Sequence, residues 1–410
     1  MGKRMPGLYR RPDKPGGMWH VDKIVHGQRI CESCGTCDEA EAQRYIVRRL
    51  EEIRQATVYG VRPDRIFRVA ATKYLTENQH KASIVSDAYM LQSLDPFIGE
   101  VSLSKLHDGT LQPYITARRA SGIRSKSINN ALSIVRRILN LASRKWRDEY
   151  GLTWLGTPPL LSMQSTHDSR KPYPLSWDEQ SELFREMPSH LAKMALFKVN
   201  TGTREQEICH LRWDWEIEVP ELNTSIFLIP ENFGGRTMNS GVKNGEDRLV
   251  VLNDVARSVV ESCRGKHPER VFTFEGEPVG SINNSAWGKA RVRAAMKLYE
   301  TSGKRIPPEL LREGQRGTLI TDELKQFMES VLPGLANVRP HDLKHTYGRH
   351  LRAAGVPLET RKVLLGHKNG DITSHYSAPE VAELLEASNR VCGGESRKSP
   401  AMTLLKRKIA

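Results

Sequence analysis

The twenty-one residues from Lys126 to Trp146 leave little choice of structure. Ile128, Leu132, Val135, Leu139, Ala142 and Trp146 recur at steps of four, three, four, three and four. That spacing draws one apolar stripe along an α-helix and is incompatible with the two-residue period of a strand. Arg136, Arg137, Arg144, Lys145 and Arg147 fall away from most of the stripe. Between Ala117 and Glu149 nine basic residues stand against two acidic ones. A helical domain so polarised suits the backbone of a nucleic acid, with Arg118, Arg119, Arg124, Lys126, Arg136, Arg137, Arg144 and Lys145 as the expected contacts. An ordinary solvated face is the other reading of the same charges.

The rest of the chain extends this asymmetry. Its 410 residues are too many for one ordinary core and imply two or three domains. The formal net charge is +14 and the pI about 9.5, a surplus that favours a polyanionic partner, nucleic acid first. Solubility alone is the competing explanation of the charge. The basic start, Met1 to Arg11, has no apolar run behind it, and no stretch of 18 apolar residues occurs anywhere, so a cytosolic protein is expected. Cys31, Cys34 and Cys37 have a spacing that could hold a metal with His20 or His26, but no second Cys/His pair follows at zinc-finger spacing. The segment from Ser33 to Asp38 reads equally as a turn before a helix, so reduced, structural cysteines and no metal or cofactor are expected.

Four segments follow from composition and pattern. Residues 1–57 make a small unit, a hairpin of Met18 to Ile24 with Gln28 to Cys31 about His26 and Gly27, then a helix capped by Asp38 that runs to about Gln55. Residues 62–160 read as all-helical. A Pro-, Ser- and Thr-rich linker, roughly 156–174, leads to Ser176-Trp177-Asp178-Glu179, a capping box that opens the largest unit, 172–391. Strand-like runs at Ile226 to Ile229 and Arg248 to Leu252 give that unit a short sheet among helices. Residues 392–410 form a basic tail expected to be flexible. The fold class is therefore multidomain, mainly α with small β-sheets.

The third unit concentrates groups suited to phosphoryl chemistry. Gly202 breaks a helix so that Arg204 lies near the start of the next, where its guanidinium can meet a phosphate with two parallel hydrogen bonds and Glu207 can orient it. Lys243 stands in Gly241-Val242-Lys243-Asn244-Gly245, a β-turn by its Asn-Gly pair, and a mobile ammonium there suits a general acid. Pro340 starts a helix whose buried stripe is Leu343, Tyr347, Leu351 and Ala354, leaving His341 and Lys344 together on an adjoining face with Gly348. Leu364-Leu365-Gly366-His367 ends a helix, and Tyr376 follows His367 by nine residues. Each piece alone has a dull explanation, such as a surface turn lysine or an amphipathic tyrosine.

Together, in this order and spacing, they resemble the tyrosine recombinase (phage integrase) family. The family's pattern is an arginine with a Glu at i+3, a hairpin lysine, His-x-x-Arg, Leu-Gly-His and a tyrosine about nine residues later. It falls here on Arg204, Lys243, His341 with Lys344, His367 and Tyr376. The likeness covers the third unit, which the resemblance makes an α+β catalytic domain, 172–391. By the same likeness, residues 62–160, with Ser127-Ile128-Asn129-Asn130-Ala131-Leu132, are the all-α core-type DNA-binding domain, and residues 1–57 an arm-type binding domain. One departure stands out. The family's second arginine is Lys344, which keeps the charge and loses the bidentate fork.

The resemblance implies a site-specific recombinase that cuts and rejoins DNA for integration or excision of a mobile element. Tyr376 would be the covalent nucleophile. Arg204, Lys344 and His367 would hold the phosphate oxygens, His341 would take the tyrosine proton and Lys243 would protonate the leaving 5′-oxygen. Its partners would be double-stranded DNA, a homotetramer on two DNA sites at synapsis, and DNA-bending accessory proteins, in a bacterial cytoplasm at the nucleoid. No P-loop and no carboxylate cluster for magnesium accompanies these residues. Two readings compete with it: the same chemistry used for chromosome-dimer resolution or topoisomerase-like relaxation, and a non-catalytic DNA-binding protein.

Overall fold

Three strands, β1 (Leu8–Arg10), β2 (Trp19–Val25) and β3 (Gln28–Ser33), make an antiparallel sheet in that order. β2 and β3 close at a two-residue turn in which His26 and Gly27 both take left-handed backbone, φ 47° and 79°. Such turns match the twist of a hairpin. β1 was not anticipated, because three residues are too few to show alternation. Helix α1 (Glu39–Thr57) begins where expected, with the Asp38 carboxylate accepting the Glu41 amide at 2.8 Å. Trp19, Val21, Ile30, Cys34, Ala42 and Ile46 form the small core between sheet and helix. Cys34 is thus packed inside while Cys31 and Cys37 are exposed. Among the described residues no cluster of metal-ligating side chains occurs.

Helices α2 (Phe67–Glu77), α3 (Ile84–Ile98), α4 (Asp108–Ala120) and α5 (Ser125–Arg144) share a second core. Five residues of the stripe lie on α5 and are buried in it, and Trp146, two residues beyond the helix end, is buried with them. The segment expected to be a linker is partly laid down on these helices. Leu161 is buried, the Asn129 side chain brackets the Gln164 backbone at 2.7 and 2.8 Å, and Asp168 accepts the Ser125 amide at 2.7 Å. A side chain that supplies both donor and acceptor to one peptide replaces the backbone pairing that a loop lacks.

The computed structural model describes residues 5–11, 16–234, 241–242, 245–314, 317–367 and 378–392. It divides into two units, Met1–Arg170 and Lys171–Ala410. The second unit opens with α6 (Trp177–Arg185) behind the Ser176/Glu179 capping box, then α7 (Ser189–Thr201) and α8 (Glu205–Cys209). Strands β4 (Glu216–Val219), β5 (Thr224–Ile229) and β6 (Arg248–Val251) form an antiparallel sheet in chain order. There follow α9 (Asp254–Glu261), the hairpin β7 (Thr273–Phe274) with β8 (Glu277–Pro278), and α10 (Ser285–Thr301). A further hairpin, β9 (Glu313–Gly314) with β10 (Gly317–Thr318), precedes α11 (Asp322–Val331) and α12 (Pro333–Ala336). The unit ends with α13 (Pro340–Ala353), α14 (Leu358–Leu364) and α15 (Ala378–Asn389).

The short sheet is covered on both faces, and its alternation decides what lies where. Phe227, Ile229 and Val250 join the larger core with α7 and α10, whereas Ile226, Leu249 and Val251 join a second core with Tyr347, Leu351 and Leu364. Val381, Leu384 and Ala387 of α15 close that second core, and Tyr347 Oη lies 2.8 Å from Ser388 Oγ. Among the described residues no helix is long and apolar enough to cross a membrane.

Candidate active site

Arg204 owes its position to a helix break. α7 stops at Gly202, whose φ of 62° suits a residue without a Cβ. A methyl group there would also lie 2.8 Å from the Tyr347 ring. Two residues later Arg204 is the N-cap of α8, and Glu207 answers it twice. One carboxylate oxygen accepts the Arg204 amide at 2.7 Å and the other accepts the guanidinium at 2.7 Å. The other terminal guanidinium nitrogen, Nη2, donates to the Gly366 carbonyl at 3.1 Å, so Arg204 ties α8 to the end of α14. It stays one-fifth exposed while Glu207 is almost wholly buried. Burial alone would raise the Glu207 pKa. Arg248 and Arg204 overcome it and hold the carboxyl at about 2.

α13 supplies the next pair. Pro340 takes its first turn and Asp342 accepts the Arg339 amide at 2.8 Å. Asp342 and Thr346 also accept amides from Tyr173 and Leu175, at 3.1 and 3.0 Å, which seats the helix against the start of the unit. Lys344 is buried, with its ammonium donating to the Leu365 carbonyl. Burial, with Arg248 and Arg204 nearby, pushes its pKa down to about 6. His341 is brought down to about 4 by burial and by the charges of Lys198, His345 and Lys344. Its ring is therefore neutral at pH 7 and keeps a nitrogen able to accept a proton.

His367 follows Gly366, whose φ is 58° and whose missing Cβ leaves room for the Arg248 guanidinium, 2.8 Å away from where that atom would lie. Its pKa is lowered by burial, then by Lys344 and Arg204. His341, Lys344, His345, Gly348, Arg349, Arg352, Arg361 and His367 line one cleft of about 540 Å³. A cleft with this lining is suited to a phosphate, whose charge would relieve the mutual repulsion of the groups around it. Lys243 and Tyr376 lie outside the described residues. Next to Lys243, the Gly245 amide donates to the Val242 carbonyl at 3.0 Å, and Gly245 has a φ of 67°.

Two buried cations escaped sequence reasoning. Lys198, inside α7, is fully buried, donates to the Thr203 carbonyl, and is lowered by burial to about 7. Arg248, at the start of β6, is buried beside Glu207. For Lys198 the signal was a lone charge inside an apolar run, Leu196-Phe197-Lys198-Val199, whereas Arg248 follows Glu246 and Asp247 at the head of Leu249-Val250-Val251 and reads as the end of a charged turn. Of the expected nucleic-acid contacts, Arg119, Arg124, Lys126, Arg136, Arg137, Arg144 and Lys145 are exposed and Arg118 is half-buried. Lys145 lies 3.6 Å from Glu77, and Arg119 donates to Gln164 at 2.6 Å.

The family model described as the phage integrase family matches residues 175–383, from the start of α6 into α15. The integrase of Salmonella phage P22 is 21% identical over 416 residues, covering 94% of each chain. The tyrosine recombinase XerC of Bacillus subtilis (strain 168) is 32% identical over 155 residues, 34% of this chain and 45% of that one. Among solved structures, the Tn1549 transposon integrase in complex with transposon right end DNA superposes with a TM-score of 0.51 at 12% identity, covering 78% of this chain and 99% of that one. With the family model spanning just over half of its length, the chain belongs to the phage integrase family and is a tyrosine-type site-specific DNA recombinase.

Proposed function

We propose that this recombinase integrates and excises a mobile element by breaking and rejoining duplex DNA through a 3′-phosphotyrosine on Tyr376. The observation that carries the assignment is the convergence of His341, Lys344 and His367 on one cleft, with Arg204 bound to the carbonyl next to His367. Tyr376 Oη attacks the scissile phosphorus and the bond to the 5′-oxygen breaks. His341 takes the tyrosine proton and Lys243 gives one to the departing oxygen. Arg204, Lys344 and His367 stabilise the charge that builds on the non-bridging oxygens, each worth roughly 3–4 kcal/mol of barrier. A 5′-hydroxyl from the other duplex then attacks the phosphotyrosine in reverse, so the bond energy is conserved and no nucleotide is consumed.

Exchange between two duplexes requires every strand to be cut once, which calls for one active site per strand and hence a homotetramer on two DNA sites. Residues 62–160 act as the core-type DNA-binding domain and residues 1–57 as the arm-type one, with DNA-bending accessory proteins as further partners. The similarity to the P22 integrase covers 94% of both chains, which supports the integrase over a simple resolvase. The test is to incubate wild type and Tyr376→Phe with DNA from the element's flanks and to quench with detergent. A covalent adduct on the 3′ side of a break is expected in wild type only. An adduct that persists in Tyr376→Phe would place the nucleophile elsewhere.

A further inference from the structure

Arg248 heads β6 at a position where a strand facing a core ordinarily carries an apolar side chain. By the two-residue period it points the same way as Val250, into the larger core. A guanidinium in that place needs every partner it can reach. It donates to Glu207, to the Gly202 carbonyl at 3.0 Å and, at 3.4 Å, to the Thr201 carbonyl. Those two carbonyls sit at the C-terminal end of α7, where a helix favours a cation. On its other side the same side chain occupies the space that a Cβ on Gly366 would need.

We propose that Arg248 is a positioning residue for the strand-transfer chemistry: by clamping Glu207 and the α7–α8 turn it fixes the guanidinium of Arg204 and the Gly366–His367 turn against the phosphate. Arg204 and Arg248 use opposite oxygens of one carboxylate, Arg204 through Oε1 and Arg248 through Oε2. The second oxygen also accepts the Arg204 amide. Glu207 therefore cannot rotate away from Arg248 without releasing Arg204. These groups come from three elements: Arg204 and Glu207 belong to the start of α8, Arg248 to β6, and Gly366 follows the cap residue of α14. Arg248 touches no phosphate in this arrangement and acts through the other two.

The inference rests on the phosphotyrosine reading, and its test separates the two. Adduct formation by wild type, Arg248→Met, Arg248→Lys and Glu207→Gln is timed at saturating DNA, with folding monitored by thermal denaturation. Arg248→Met should slow the step about a hundredfold while DNA affinity changes less than about threefold. Arg248→Lys, which keeps the charge and loses the fork, should recover part of that loss. Adding Glu207→Gln to Arg248→Met should cost little more, because the two act as one unit. In the DNA-free protein, a ¹³C titration of the Glu207 carboxyl should move upward in Arg248→Met, and less in Arg248→Lys, which keeps the charge. Glu207 is faced by Arg204 on α8, Arg248 on β6, Lys198 on α7 and Lys344 on α13, and the charge of Arg248 lowers its pKa more than the charge of Arg204 does. Unchanged rates, additive losses or an unmoved Glu207 titration would overturn the assignment. A wild type that makes no adduct would count against the phosphotyrosine reading, and the Glu207 titration would then decide the role of Arg248 by itself.

Discussion

A buried lysine with its ammonium on a backbone carbonyl, as at Lys344, titrates in the direction its surroundings impose. Burial first, then Arg248 and Arg204, bring its pKa down to about 6. An unfolded chain would protonate the same group up to about pH 10. Folding therefore releases a proton between those limits, and the stability of the DNA-free protein rises with pH across that window. A phosphate in the cleft reverses the preference, because the charged ammonium is then the better partner. At pH 7.5 DNA binding should be accompanied by uptake of up to about one proton at this site. The measurement is the binding enthalpy in buffers of different ionisation enthalpy, for wild type and Lys344→Met. Equal proton uptake in the two would show that Lys344 does not meet the phosphate.

Helix α5 shows how an element can carry two instructions at once. One arc holds the stripe that is buried in the helical core. On the opposite arc Lys126, Arg137 and Arg144, spaced eleven and seven residues apart, return to nearly the same azimuth and are all exposed. Replacing the three by alanine should leave folding intact, since exposed side chains are being trimmed. It should weaken DNA binding at low salt and reduce the slope of log K against log salt by about 0.9 for each phosphate no longer neutralised. An unchanged slope would assign DNA binding to another face. The stripe, the β2–β3 hairpin and the Ser176 capping box were legible because each is specified by neighbours in sequence. β1 and the strap from Leu161 to Asp168 were not, since a three-residue strand and a loop held by Asn129 draw on partners far along the chain. The same reason hid Arg248. A charge in an apolar strand makes sense only once Glu207, 41 residues away, is seen to meet it. The motifs at Arg204, His341 and His367 could be read early because helix breaks and caps set them locally.

At the scale of the whole chain, what matters is which parts can be removed without harm to the rest. The sheet-and-helix segment at the N-terminus has its own core, against which Tyr150 packs, and Arg49 adds polar ties to the residues after the helical bundle. Arg49 of α1 reaches Glu149 at 3.0 Å and the Tyr150 hydroxyl at 2.8 Å, while also holding Glu32 and Glu52. Burial would raise the Glu149 pKa, but Arg49 holds it below the usual carboxylate range. Deleting residues 1–57 therefore removes the ion pair of Glu149, which is already 59% exposed, uncovers Tyr150, and takes away none of the residues of the helical core. The shortened protein should unfold cooperatively with a Tm within a few degrees of wild type, roughly the shift that 1 kcal/mol produces. It should still form the Tyr376-dependent adduct on a short core site, because every described residue of the candidate active site lies in the second unit. What it should lose is joining of distant sites, measured by an integration assay on full-length attachment DNA. Loss of the adduct as well, in a protein still folded by the same thermal measurement, would make the N-terminal segment part of the cutting machinery and not an arm that recruits DNA to it.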